Sequence, residues 1–343
     1  MSAMTWLTWR QYRAQAAIAA ALLAAFAAVL IVTGLQAASQ WHSALTACRA
    51  NHTCGSLSGT LFLGSHAVGF LVIMTLGVPA VLGMLLGVPL LASELEAGTN
   101  QFAWAQSVTR RRWLAVKAGW LLLGAAAFGG VVSALVTWWS GPNNALQANA
   151  FDPGRFDIMG IVPVGYAVFA MAVGIAAGVL TRRTVPTVGI TLAAYIAIRS
   201  LISILARPHL MTAVTSYFPI NRGSTPAGSY WLLSSGYVDA GGQPINIPRT
   251  VSGMVIGTVN GGLPAVSLPA QCQGLAIQSG RGFTPASYQA VSSCAAAHHI
   301  QAFITYQPAS RYWAFQGIET GIFVALAAAL IAATFVVISQ RDV

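Results

Sequence analysis

Charge is what this chain has least of: only 7% of its residues are Asp, Glu, Lys or Arg, against roughly 25% in an ordinary soluble domain. So few charges cannot clothe a water-facing surface, which excludes a soluble globular fold. The seven acidic residues and the single lysine, Lys117, also narrow the chemistry. Catalysis needs convergent carboxylates or a nucleophile beside a base, yet the long polar stretch 207–313 contains one acid, Asp239. Neither His-Glu-x-x-His nor Gly-x-Ser-x-Gly occurs, and in the near match at 55–59 Leu57 stands where a nucleophile would be. Lys117 lacks the preceding glycines of a phosphate-binding loop. No catalytic residue, metal or cofactor is therefore expected on this chain, and any nucleotide hydrolysis belongs to another subunit.

What is abundant is apolar sequence, at 56% of residues. It falls in six long stretches: 16–38, 66–92, 113–139, 158–180, 186–206 and 314–338. Each is long enough to cross a bilayer core, which takes about 20 mostly apolar residues. The expected fold is an all-α membrane protein of six transmembrane helices, with a small mixed domain inserted before the last. Residues 1–206 form the membrane domain, 207–313 an extracellular domain, and 314–343 the sixth helix with a cytoplasmic tail.

The net charge of +10 invites a nucleic-acid reading, but the arginines sit at helix ends, as orientation signals do. Arg10 and Arg13 precede the first stretch, Arg110, Arg111, Arg112 and Lys117 follow the second, and Arg182 and Arg183 follow the fourth. The opposite short loops hold only Arg49 and Arg155, so both termini are expected in the cytoplasm. Residues 4–14, with Trp6, Trp9 and Tyr12 among two arginines, read either as an interfacial helix or as a plain flank of the first span.

All four cysteines then fall outside. Cys48 and Cys54 share the first outer loop, and Cys272 and Cys294 share the large outer segment, so an oxidising compartment favours two local bridges among three possible connectivities. A metal site using His42, His52, His298 or His299 is the weaker alternative, because no compact ligand spacing is present. Within 207–313, residues 230–245 predict two short strands around Gly241 and Gly242, and 285–297 a short helix.

Three features carry functional expectations. Pro79 and Pro89 predict a kinked second span, while 83–87 and 174–178 match the Gly-x-x-x-Gly spacing that permits close helix approach. Arg199 and Glu319 lie inside spans at similar depth, where charge is costly; a structural ion pair leads, with a substrate contact or snorkelling as alternatives. In the third, the cytoplasmic segment 87–117, Glu94 and Glu96 precede a turn at Gly98 and Thr99 and a short amphipathic run to Arg110, Arg111 and Arg112. Such a segment suits either docking of a soluble partner or an ordinary solvated loop.

The run PLLASELEAGTNQFAWAQSVTRRRWLAVK resembles the first cytoplasmic connection of ABC-2 type transporter permeases. The opening MTWLTWRQYRAQ and the stretch YQPASRYWAFQGIETGIFVALAAAL are similar to actinobacterial members. This resemblance implies a half-transporter: two permease protomers, here a homodimer in lipid, above two ATPase subunits that carry ATP and Mg. It assigns Glu94, Glu96, Gly98, Thr99, Arg110, Arg111 and Arg112 to coupling with the ATPase, and an amphiphilic cargo to outward transport. A membrane-anchored sensor with a ligand-recognising outer domain is the competing class.

Overall fold

The computed structural model describes residues 3–51, 73, 75–79, 81, 96–97, 109–140, 151, 153–219, 230–246, 249–251, 254–256, 266–267, 272 and 292–340. The chain divides into two compact units, Met1–Leu210 with Tyr312–Val343, and Met211–Arg311. The first unit is helical and comprises α1 (Ala3–Asn51), α2 (Arg110–Trp139), α3 (Val162–Thr181), α4 (Thr184–Leu201) and α5 (Tyr312–Gln340). Among the described residues, five helical segments are long and apolar enough to cross a membrane: Ala16–Gln40, Arg110–Trp139, Val162–Thr181, Thr184–His209 and Ala309–Gln340. Of the apolar stretch 66–92, the described positions 73, 75–79 and 81 are helical. The rest of it, including Pro89 and the 83–87 motif, lies outside the described residues, as do Cys54, Glu94, Gly98 and Thr99.

Helix α1 is unbroken over 49 residues, about 74 Å at 1.5 Å per residue and well beyond a bilayer core of about 30 Å. Residues 4–14 and the span belong to one continuous helix, and Cys48 lies in its last turns rather than in a loop. On α1, Gly34 faces the indole rings of Trp138 and Trp139, and an added Cβ would come within 3.0 Å of Trp138. Trp139 Nε1 donates to Thr33 Oγ1 at 3.0 Å, fixing α1 against the end of α2.

Helix α3 occupies the centre of this unit, buried at almost every position from Val162 to Val179 and packed against α2, α4 and α5. In lipid no hydrophobic force drives helices together, so close backbone approach through small residues matters more. Gly129 of α2 meets Ala167 and the Pro163 carbonyl, and Gly165 of α3 meets the backbone of Thr320 on α5. Gly174 and Gly178, the second motif read from the sequence, are both buried on α3.

The apolar stretch 186–206 stops just before Arg207-Pro208, and a residue preceding proline disfavours the α conformation. The helix instead continues. A π turn, Ile202–Ala206, follows α4 and passes into a 3₁₀ turn, Arg207–His209, with Pro208 in its first positions, where no backbone donor is required. Residues 207–210 therefore belong to the helical unit, and the polar unit starts at Met211.

The second unit holds a five-stranded sheet in the order β1-β7-β2-β3-β6, made of β1 (Val214–Pro219), β2 (Tyr230–Val238), β3 (Pro244–Asn246), β6 (Val266–Ser267) and β7 (Gln301–Pro308). Strands β4 (Arg249–Val251) and β5 (Met254–Ile256) pair separately. All pairs are antiparallel except β3 with β6. The β2–β3 turn is held by Asp239, whose Oδ1 accepts from the N–H groups of Gly241 at 2.9 Å and Gln243 at 2.8 Å, with Gly242 at φ +77°. The lone acid of this unit is thus a turn-former. Cys272 and Cys294 are disulfide-bonded and share a small core with Tyr237, Ala295 and Ile300. A short helix covers 292–297.

Candidate functional site: a buried charge cage and an acid-capped helix

Two acids and two arginines meet where α3 and α5 begin and the α4 extension ends. The sequence pairs Arg199 with Glu319; the structure gives each another first partner. Arg199 Nη2 bonds Asp157 Oδ2, while Glu319 is held by Arg207 in a bidentate fork, Nε to Oε2 and Nη2 to Oε1, both at 2.8 Å. Arg207 Nη2 also bonds Asp157 Oδ1, so Asp157 and Arg207 link the outer members into one network. Tyr166 stands at the centre: its hydroxyl donates to Glu319 Oε1 at 2.7 Å and lies 3.2 Å from Arg207 Nη2.

Burial gives these contacts their weight. Glu319 is 0% exposed, Arg207 2% and Asp157 6%, while the Arg199 side chain keeps 18%. Two positive and two negative charges cancel, which a low-dielectric interior requires. Aromatic faces complete the enclosure, with the Arg207 guanidinium 4.5 Å from the Phe156 ring centre and that of Arg199 5.1 Å from Tyr166. Phe323 packs edge-on against Tyr166 at 4.8 Å.

Asp157 reaches this point because the turn before α3 is clamped from α5. Gln316, fully buried, accepts from the N–H groups of Ile161 and Val162 at 2.9 Å each and donates to the Phe156 carbonyl at 3.0 Å. It thereby satisfies two of the donors that a helix start leaves open. Gly160, at φ +72°, permits the fit, since a Cβ there would lie 2.6 Å from Gln316 Oε1.

At the far end of α4 stands a second polar contact. Glu96 Oε2 accepts from the Thr184 backbone N–H at 3.0 Å and from Thr184 Oγ1 at 2.7 Å, so an acid 88 residues away caps the start of α4. These bonds to Thr184, aided by nearby Arg183, hold the exposed Glu96 carboxyl below the usual glutamate range. From Thr184 to Arg207 the chain climbs 23 residues, about 34 Å along the axis. One helical rod therefore joins the Glu96 contact to the charge cage.

Arg110, Arg111 and Arg112 form the first turn of α2, behind a Thr109 cap that accepts from the Arg112 N–H at 3.3 Å. Asp157 and Arg207 were missed as site residues by sequence reasoning. Among the described residues, one group of three metal-ligating side chains comes together, Cys272, Cys294 and His298, and its two sulfurs are spent in the disulfide.

Several helices long and apolar enough to cross a membrane, among the described residues, define a multi-pass membrane protein. The chain belongs to the ABC-2 membrane transporter related family, which it matches over residues 20–207. No curated protein and no solved structure gives a match.

Proposed function

We propose that this chain is the permease subunit of an ABC exporter, moving an amphiphilic cargo outward with energy from a separate ATPase. The carrying observation is the cap that Glu96 places on Thr184, which ties the segment after the second apolar stretch to α4. Force applied to that segment by a partner would act on α4 along its axis and reach Arg199 and Arg207. Three arginines in the first turn of α2, which also serve as orientation signals, place positive charge at this end for a partner to meet.

On this reading residues 94–112, with Glu94, Glu96, Gly98, Thr99, Arg110, Arg111 and Arg112, form the coupling element on the cytoplasmic side. Two protomers enclose the path, and ATP and Mg bind the partner ATPases. Residues 211–311 face outward, with disulfides Cys272–Cys294 and Cys48–Cys54. Copurification with the ATPase of the same transport system, followed by ATPase assays of the complex in lipid, tests the reading. Stable association and permease-dependent ATP hydrolysis are expected; a chain that copurifies with a kinase or regulator instead would contradict it.

A further inference from the structure

The charge cage has the chemistry of a receptor. Two carboxylates, a phenol and an aromatic face converge on one guanidinium, which they hold by a bidentate fork, further hydrogen bonds and a cation–π contact. We propose that the cage of Asp157, Glu319, Tyr166 and Phe156 is a binding site for an organic cation, closed in this state by the chain's own Arg207. The inference names the cargo class for the transport reading above and rests on it for that purpose, while the site itself does not.

Counting charges shows what leaves with Arg207. Arg199 keeps Asp157 neutralised, so withdrawal of Arg207 leaves one carboxylate, Glu319, uncompensated beside a phenol and aromatic rings. A bare carboxylate there is expensive, and a cationic headgroup with an apolar body meets that demand: its charge replaces the guanidinium, and its body suits the surrounding apolar helices. The adjoining cavity, lined by Asp157, Tyr166, Gly129 and Pro163 among others, holds about 10 Å³, room for roughly one water. A ligand therefore enters only when Arg207 leaves.

The backbone supplies the means. Residues 199 and 207 are eight apart, and in an unbroken α-helix eight residues turn about 80° beyond two full turns, which would point Arg207 away from the side of Arg199. The wider π turn Ile202–Ala206 removes that excess and brings both guanidiniums to Asp157. Reversion of this turn to α would swing Arg207 out. Its outer residues do not oppose this, since Ile204 and Leu205 are 69% and 61% exposed within the chain.

Methylguanidinium is the probe, and the full chain purified in detergent needs no ATPase for the test. Arg207→Ala is expected to melt lower than the parent and to regain stability saturably with millimolar methylguanidinium. The parent, and the charge-balanced variant Arg207→Ala/Glu319→Gln, are expected to show only the response to an equal concentration of sodium chloride. If Arg207→Ala yields no folded protein alone, its yield of monodisperse material with and without methylguanidinium becomes the readout. Recovery confined to the single variant supports the site. Equal responses in all three proteins, or no recovery of the single variant while the double variant folds, would overturn it. Loss of the ATPase association would leave this result untouched, so the two readings fail separately.

Discussion

Arg207 donates to both buried acids, whereas Arg199 reaches only Asp157 from a partly exposed position. Removing one partner of a buried pair leaves the other desolvated, at a cost of about 3 to 5 kcal/mol. Arg207→Ala and Glu319→Ala should each destabilise by that order, and a double-mutant cycle between them should show strong coupling. The Arg199/Glu319 cycle should couple more weakly, since those residues communicate only through Asp157, Arg207 and Tyr166. Thermal melts of the four proteins in each cycle measure this; equal coupling in both would mean that the fork to Arg207 is not the dominant pair. Glu96 adds a pH dependence of known sign. Its carboxyl is held low in the fold, so the cap on α4 is fully formed above the ordinary glutamate value and is lost as pH falls through the lower folded value. The protection of the Thr184 amide, taken against its intrinsic exchange rate, should therefore fall in acid, and Glu96→Gln should remove that pH dependence. Arg199 and Glu319 were legible because each interrupts an apolar run. Asp157 and Arg207 lie just beyond the edges of such runs, where hydropathy assigns a charge to water.

Among the elements, α3 depends on an acceptor supplied from another helix rather than on its own cap. Ile161, at its N-cap position, has no side chain able to accept, and Gln316 of α5 takes that part. Gln316→Leu fills similar space but leaves the Ile161 and Val162 donors unsatisfied, at about 1 to 3 kcal/mol for each buried group. Gly160→Ala forces a side chain into a left-handed backbone and against Gln316, so a loss of similar order is expected. Both variants should lower the melting temperature of the detergent-solubilised protein, whereas Gly189→Ala, with open space at its Cβ, should leave it nearly unchanged. Five of the six spans were readable from length and apolarity to within a few residues, because a bilayer fixes both, while most of 66–92 lies outside the described residues. The strand β7 was not, although it sits between β1 and β2 in the sheet. Its partners are up to about ninety residues away in sequence, and no local turn signal announces them.

For the whole molecule, the family match and the five apolar helices among the described residues place a permease in a membrane, and on the reading proposed above the Glu96 cap would be its route for force. Resemblance of the segment around Glu94 and Glu96 to a coupling connection was visible in sequence, but its attachment to Thr184 was not, since 88 residues separate the partners. The direct test is ATPase activity of the lipid-reconstituted complex carrying Glu94→Lys and Glu96→Lys. The account predicts that this protein still inserts in the membrane while its stimulation of ATP hydrolysis is largely lost. Stimulation at the parental level, with the doubly reversed protein bound normally to its ATPase, would contradict it.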